Sequence, residues 1–317
     1  MPLPSRFANL RLPAVAAPMF LVSGPELVIA TCKAGMIGTF PALNQRTSEG
    51  YAEWLSEIKS ALGPEDAAYG VNLIVHNTNT RLMADIAITV EHKVPLVITS
   101  LGAVKDVVDA VHSYGGVVFH DIINARHAQK AMEAGVDGLI LVSAGAGGHA
   151  GTQHPFALLN EIRSFFKGTV LLSGAMSTGQ DVAAALMAGA DLAYMGTRFI
   201  ATNEARADAA YKQMLIDTTA RDITYTDAIS GINANFLTPS LIQNGLDPAA
   251  AKDPKHKIDM AHELNSEAKA WKTIWSAGQG VGSIHEVLPV AGLVARLKGE
   301  FAAAADGFMA KRANFSL

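Results

Sequence analysis

Three junctions of one kind constrain the fold of this chain more than anything else in it. Lys33-Ala34-Gly35-Met36-Ile37-Gly38, Glu133-Ala134-Gly135-Val136-Asp137-Gly138 and Met187-Ala188-Gly189-Ala190-Asp191-Leu192 each join a helical pattern to an apolar run through glycine. A helix that ends in the left-handed conformation and turns at once into a strand favours glycine at that corner. Gly135 and Gly189 lie 54 positions apart. A closed barrel of eight β/α units uses about 250 residues, or about 31 per unit, so the interval is close to two units.

Counting apolar runs bounded by turn residues gives eight strands, near 14–18, 36–40, 69–75, 95–99, 117–120, 138–142, 170–173 and 192–196. Most do not alternate with polar residues, as expected of strands buried on both faces. Helical patterns fall between them, near 24–33, 48–61, 79–92, 103–113, 125–134, 155–166, 178–188 and 204–216. Thr178 with Asp181 three residues on marks the start of the seventh helix. The pattern predicts an α/β chain folded as a (β/α)8 TIM barrel. An open, doubly wound sheet is the alternative arrangement.

The alternation breaks after residue 217. Residues 218–282 place Asn, Asp, Pro and Gly at irregular spacing, with helical pieces near 239–244 and 258–270. That is too much chain for one loop of a compact barrel. It reads as a mainly helical insertion over the barrel mouth, carrying Trp271 and Trp275. A last helix near 286–304 returns to the wall, so 1–217 and 283–317 form the barrel.

Composition narrows the function classes. Half of the 317 residues are hydrophobic, 17% are charged and the net charge is −4, which gives no electrostatic reason to expect nucleic acid. A single cysteine, Cys32, excludes an internal disulfide framework and reads as a small buried residue in a reducing compartment. The N-terminus shows no apolar signal-peptide core, and no run approaches the roughly 20 apolar residues that span a bilayer. The expectation is a cytoplasmic protein, monomer or homodimer.

Ligands of such barrels sit at the C-terminal ends of the strands. Those ends are Ala17-Pro18-Met19, Asn72, His120-Asp121, the run Ser143 to Gly151 that includes Gly147, Gly148 and His149, Ser173-Gly174-Ala175, and Gly196-Thr197. The last two turns, with the helix start near Thr178, form the usual phosphate position of these barrels, although tight turns with no ligand read similarly. The glycines around His149 suggest backbone that approaches a flat ligand and a side chain aimed into a cleft. His120 reads more simply as a structural histidine and His154 as a loop residue. The histidines lack metal-ligand spacing, so no metal site is expected. Gly145-x-Gly147-x-x-Ala150 matches a loose dinucleotide fingerprint, but the next strand ends at Ser173 with no acidic residue, and the match reads as accidental.

Taken in order, Ala17-Pro18-Met19, Gly70-Val71-Asn72-Leu73, Ala146-Gly147-Gly148-His149-Ala150-Gly151, Ser173-Gly174-Ala175 and Met195-Gly196-Thr197-Arg198-Phe199 resemble the nitronate monooxygenase family, formerly called 2-nitropropane dioxygenases. Trp275-Ser276-Ala277-Gly278-Gln279 looks like a further family segment. The resemblance implies non-covalent FMN, with Ala17, Pro18 and Met19 along the ring, Asn72 at its polar edge, and Ser173, Gly174, Ala175, Gly196 and Thr197 at the phosphate. Asp121, Gly147, Gly148 and Gln279 join this cofactor set, and His149 matches the catalytic histidine. The implied reaction is oxidation of an alkyl nitronate, or a nitroalkane, by O2 to a carbonyl compound and nitrite.

Two positions depart from the family pattern. Gly145 stands where many relatives have Glu, and Asp121 where some have Lys. The scaffold also resembles FMN-dependent enoyl-acyl-carrier-protein reductases and NAD(P)H:quinone reductases, so an NAD(P)H-dependent reductase stays open. So do a flavin-binding barrel without turnover and a flavin-free barrel acting on a phosphosugar.

Overall fold

The computed structural model describes residues 3–7, 9–229, 231–248 and 272–315. Eight parallel strands close on themselves: β1 (Ala14–Ala16), β2 (Ile37–Pro41), β3 (Tyr69–Ile74), β4 (Leu96–Ser100), β5 (Val117–Ile122), β6 (Gly138–Val142), β8 (Thr169–Ser173) and β9 (Leu192–Met195). Strand β9 pairs back onto β1 through Ala14–Ala193, Val15–Tyr194 and Ala16–Met195. The closed ring decides between the two expected arrangements in favour of the (β/α)8 barrel. The three glycine corners are what the sequence requires: Gly35, Gly135 and Gly189 have φ of 92°, 88° and 110° and cap helices α1 (Pro25–Ala34), α5 (Ala125–Ala134) and α7 (Gly179–Ala188).

Alternation along each strand splits the apolar side chains into two cores. Val15, Ile37, Ile98, Phe119, Ile140, Leu171, Leu192 and Tyr194 fill the barrel, with Phe7 packed on Phe119 at ring centroids 5.9 Å apart. The second core lies between strands and helices and includes Leu27, Tyr51, Val97, Leu139, Leu159, Val182 and Leu297. Cys32 belongs to it, and burial pushes its thiol up to about 12.

The remaining wall helices are α2 (Ser48–Ala61), α3 (Leu82–Glu91), α4 (Lys105–His112) and α6 (Pro155–Phe165). The last helix returns to the wall as the sequence predicts, but it, and not the helix expected near 204–216, takes the eighth place. After β9 come a one-turn helix, α8 (Thr197–Ile200), and α9 (Ala209–Asp217), which carries Tyr211 to the barrel mouth. The C-terminal helix, Val290–Arg312, packs between α7 and α1 in the place of the eighth wall helix. Gly179 lets its backbone meet that of Leu297, and Glu300 accepts from the Gly179 N–H at 2.7 Å.

Among its described residues the insertion carries strands as well as helix. The helix expected near 239–244 is present as α10 (Thr238–Gln243), but a hairpin of β10 (Ile223–Thr226) and β11 (Ala234–Leu237) precedes it. Strand β11 pairs with a two-residue strand, β7 (Gly148–His149). The β-branched and aromatic residues of Ile223-Thr-Tyr-Thr carried that signal. The helix expected at 258–270 and Trp271 lie outside the described residues. Trp275 stacks on Tyr211, with centroids 5.0 Å apart and planes 7° apart. No helix among the described residues is long and apolar enough to cross a membrane.

Candidate active site

A cavity of about 730 Å³ opens at the C-terminal ends of the strands. That volume suits a small-molecule or cofactor site. It is lined by Ala17, Pro18, Met19, Asn72, Asp121, Gly147, Gly148, His149, Ser173, Gly196 and Thr197 among the residues singled out above. A second space of about 20 Å³ adjoins it and shares Ala146, Gly147, Ser173, Tyr194, Gly196 and Thr197. Gly174, Ala175, Ser177, Gly278 and Gly280 line this smaller space. Gln279 lines neither. It is exposed, and its side-chain oxygen lies 3.0 Å from where a Cβ on Gly145 would sit.

The glycines of the 143–151 loop serve protein packing as much as any ligand. A Cβ on Gly147 would meet the Gly278 nitrogen at 2.8 Å, and one on Gly278 the Gly145 oxygen at 2.5 Å. Two backbones therefore run against each other, joined by the Gln279 N–H to the Gly145 carbonyl at 2.9 Å. The same loop is stitched to the insertion. Asn235, buried on β11, donates to the Ala146 carbonyl at 2.6 Å, and the Tyr225 hydroxyl donates to the Ala150 carbonyl at 3.0 Å. His149 thus hangs from a short strand paired to Ala234. Burial holds its imidazole down to about 4, so it is neutral at neutral pH.

The phosphate-like turn is built with fewer donors than the sequence suggests. The helix N-terminus at Thr178 is already satisfied: Asp181 accepts from the Ser177 and Thr178 N–H groups at 2.9 Å, and Glu300 accepts from Gly179. The Ala175 N–H donates to Gly145. Arg198 is buried beyond the turn, donating to the Ala201 and Glu286 carbonyls. What faces the small space instead is the Ser177 hydroxyl, buried and without a hydrogen-bond partner. Gly196 leaves the space open, since a Cβ there would find nothing closer than Ala17 at 3.7 Å. An unsatisfied hydroxyl beside glycine turns fits a small oxyanion such as a phosphate.

Sequence reasoning also missed the polar string across the mouth. Asn72 donates to the Ile98 carbonyl at 3.2 Å and to the Ser100 hydroxyl at 2.7 Å, and Ser100 donates to Asp121 Oδ2. Burial pushes the Asp121 carboxyl up to about 6. His120, placed beside it, is held down to about 4 by burial and hydrogen-bonds Thr99 at 2.8 Å. Both Ser100 and Tyr194 end or line barrel strands, the signal that could have found them.

A sequence model of the nitronate monooxygenases matches residues 67–300. The chain belongs to the nitronate monooxygenase family. Enzymes of this family are flavin-dependent oxidoreductases, which makes this chain one. It is 28% identical to the nitronate monooxygenase of Paraburkholderia phytofirmans over 91% of this chain and 92% of that one. The nitroalkane oxidase of Streptomyces ansochromogenes superposes with a TM-score of 0.81 at 25% identity, covering 96% of this chain and all of the other. FabK from Thermotoga maritima superposes equally well, TM-score 0.81, at 22% identity over 97% and 98% of the two chains, a likeness of fold alone.

Proposed function

We propose that this protein binds FMN and oxidises alkyl nitronates with O2 to carbonyl compounds and nitrite. The observation that carries the reading is His149: a neutral imidazole held in the wall of the cavity by a strand that the insertion supplies. The bound flavin supplies the redox chemistry. Ser173, Gly174, Ala175, Gly196, Thr197 and Ser177 would hold its phosphate, with Ala17, Pro18, Met19, Asn72, Asp121, Gly147 and Gly148 around the rest. A side space of about 20 Å³ matches a terminal phosphate rather than a further nucleotide.

An imidazole held near 4 is a weak base for a carbon-bound proton. It suits a substrate that arrives already deprotonated. His149 then donates a hydrogen bond to the nitronate oxygens and fixes their orientation, and the anion in turn favours protonation of the ring. The described part of 218–282 supplies the cover, with Tyr225, Ile232, Asn233 and Ser276 lining the cavity.

The test is an anaerobic absorbance spectrum of the FMN-loaded protein before and after propyl nitronate, and separately NADH and NADPH. Bleaching or a semiquinone on nitronate alone supports the proposal. Bleaching by a nicotinamide alone moves the assignment to a reductase. A protein that takes up no FMN removes the flavin reading.

A further inference from the structure

The direction of the hydrogen bonds in the string Asn72–Ser100–Asp121 can be read without seeing a hydrogen. The Ile98 carbonyl only accepts, so the atom 3.2 Å from it is the Asn72 amide nitrogen. The second N–H of that amide therefore points to the Ser100 oxygen, 2.7 Å away. Ser100 has one proton, and it goes to Asp121 Oδ2. With Oδ2 accepting from Ser100, a proton taken up by this carboxyl goes to Oδ1. Oδ1 is buried, has no partner, and belongs to a side chain lining the large cavity.

We infer that Asp121 carries its proton on Oδ1 and donates it to an anionic or charge-gaining acceptor atom of the ligand that fills the cavity. The inference rests on the flavin reading for the identity of that ligand. A reducible ring gains negative charge when it accepts electrons, and a bare carboxylate beside it would oppose this. A protonated Asp121 supplies the hydrogen bond, and above the pH at which the oxidised site leaves Asp121 ionised, reduction is accompanied by proton uptake at this residue. The site thereby replaces a fixed cation with a proton that depends on pH.

The neighbours favour the neutral acid. Desolvation pushes Asp121 up to about 6, only partly countered by Ser100, and Tyr194, whose own hydroxyl burial holds far above its ordinary range, faces it from β9. His120 and His149, both held near 4, add no positive charge at neutral pH. His127, lowered by burial and by Arg126 and Lys130, and Lys130 line the cavity from α5. Neither is within the groups that shift Asp121. An anion in the cavity raises the acid further, so the donor is present below that value and lost as pH climbs through it.

The experiment compares FMN-loaded wild type with Asp121→Asn, whose amide presents a permanent donor at the same place, and Asp121→Leu, which presents none. Two-electron midpoint potentials are measured from pH 5.5 to 8.5. Wild type is expected to lose potential above about pH 6 with one more proton per two electrons than Asp121→Asn, and to fall below the Leu variant at high pH, where the bare carboxylate opposes reduction. Parallel lines for wild type and Asp121→Asn overturn the inference. Infrared titration of the carboxylic acid C=O band, with and without FMN, gives a second readout. A band that titrates near or above pH 6 and vanishes in Asp121→Asn supports a protonated Asp121; its absence at pH 5.5 overturns it. Failure to take up FMN overturns the flavin reading instead, and the infrared band still decides whether Asp121 holds the proton.

Discussion

Gly196→Val separates the fold from the flavin site. Gly196 has φ of −104°, a value that residues with a side chain adopt, and a Cβ there would sit 3.7 Å from Ala17 Cβ and 3.8 Å from Met19 Sδ, ordinary contact distances. The barrel itself therefore accepts the change, and removing a glycine from the unfolded chain is worth about 0.4–1 kcal/mol in its favour. The two methyl groups have only the shared wall of the two spaces to occupy. If they displace the phosphate from one or two charge-assisted hydrogen bonds, each worth about 1.5–3 kcal/mol, FMN binding weakens by roughly 10- to 10⁴-fold. The assay pairs thermal unfolding of the flavin-free protein with a fluorescence titration of FMN. Unchanged FMN affinity in a folded variant would falsify the assignment of these turns to the phosphate. Gly174→Asp is a poorer probe of the same idea. Gly174 has φ of 127°, and its Cβ would collide with the Ser143 hydroxyl and lie 2.7 Å from the Ala144 oxygen, so that variant loses flavin by losing its fold.

Ser177→Ala removes a buried hydroxyl that has no protein partner; it should leave Tm unchanged or higher and weaken FMN by about 2- to 10-fold, the worth of one ordinary hydrogen bond. A fall in Tm with unchanged FMN affinity would show that the hydroxyl serves the fold. His149→Ala should keep flavin and lower kcat/KM for a nitronate by about 10²- to 10⁴-fold, and an unchanged kcat/KM rejects its catalytic assignment. Asn235→Ala removes the 2.6 Å bond to Ala146 and leaves a buried carbonyl unsatisfied, at a cost of about 1–3 kcal/mol in denaturant unfolding. A shift indistinguishable from zero there means the hairpin does not hold the loop. Acidification should destabilise the fold between about pH 6.5 and 4, because His120 and His149 bind protons over that range when unfolded and resist them when folded. Asp121, raised from 3.8 to about 6, acts in the opposite sense over its own range. Replacing His120 with Gln should flatten the acid limb, and an unchanged limb contradicts the buried neutral imidazole.

The barrel was legible because its signals are local. A glycine corner, a capping Thr and a non-alternating apolar run each report on a handful of neighbouring residues, and the eight strands placed from them agree with the eight barrel strands within a residue or two. The strand-end rule then brought Ala17, Asn72, Asp121, His149 and Gly196 to one cavity. What escaped depends on contacts between distant segments. That the N-terminus of α7 spends its donors on Asp181 and on Glu300, 121 residues away, is invisible in either stretch alone. The string from Asn72 through Ser100 to Asp121 spans three strands and exists only once the register aligns their ends.

The loop around His149 shows how one stretch can be read for its place while part of its cause lies in a distant segment. Its glycines suggest backbone pressed against a ligand, and Gly147 and Gly278 are also small because two protein backbones touch. That contact, with the bonds from Asn235 and Tyr225, makes the insertion part of the wall that presents the histidine. The hairpin is therefore tied to the site through hydrogen bonds to the loop backbone as well as through Tyr225, which lines the cavity. A change in β11 acts on His149 as directly as a change beside it in sequence, because Ala234 and His149 are register partners. Covering the mouth and aiming the imidazole are then one structural task, carried by one three-stranded sheet.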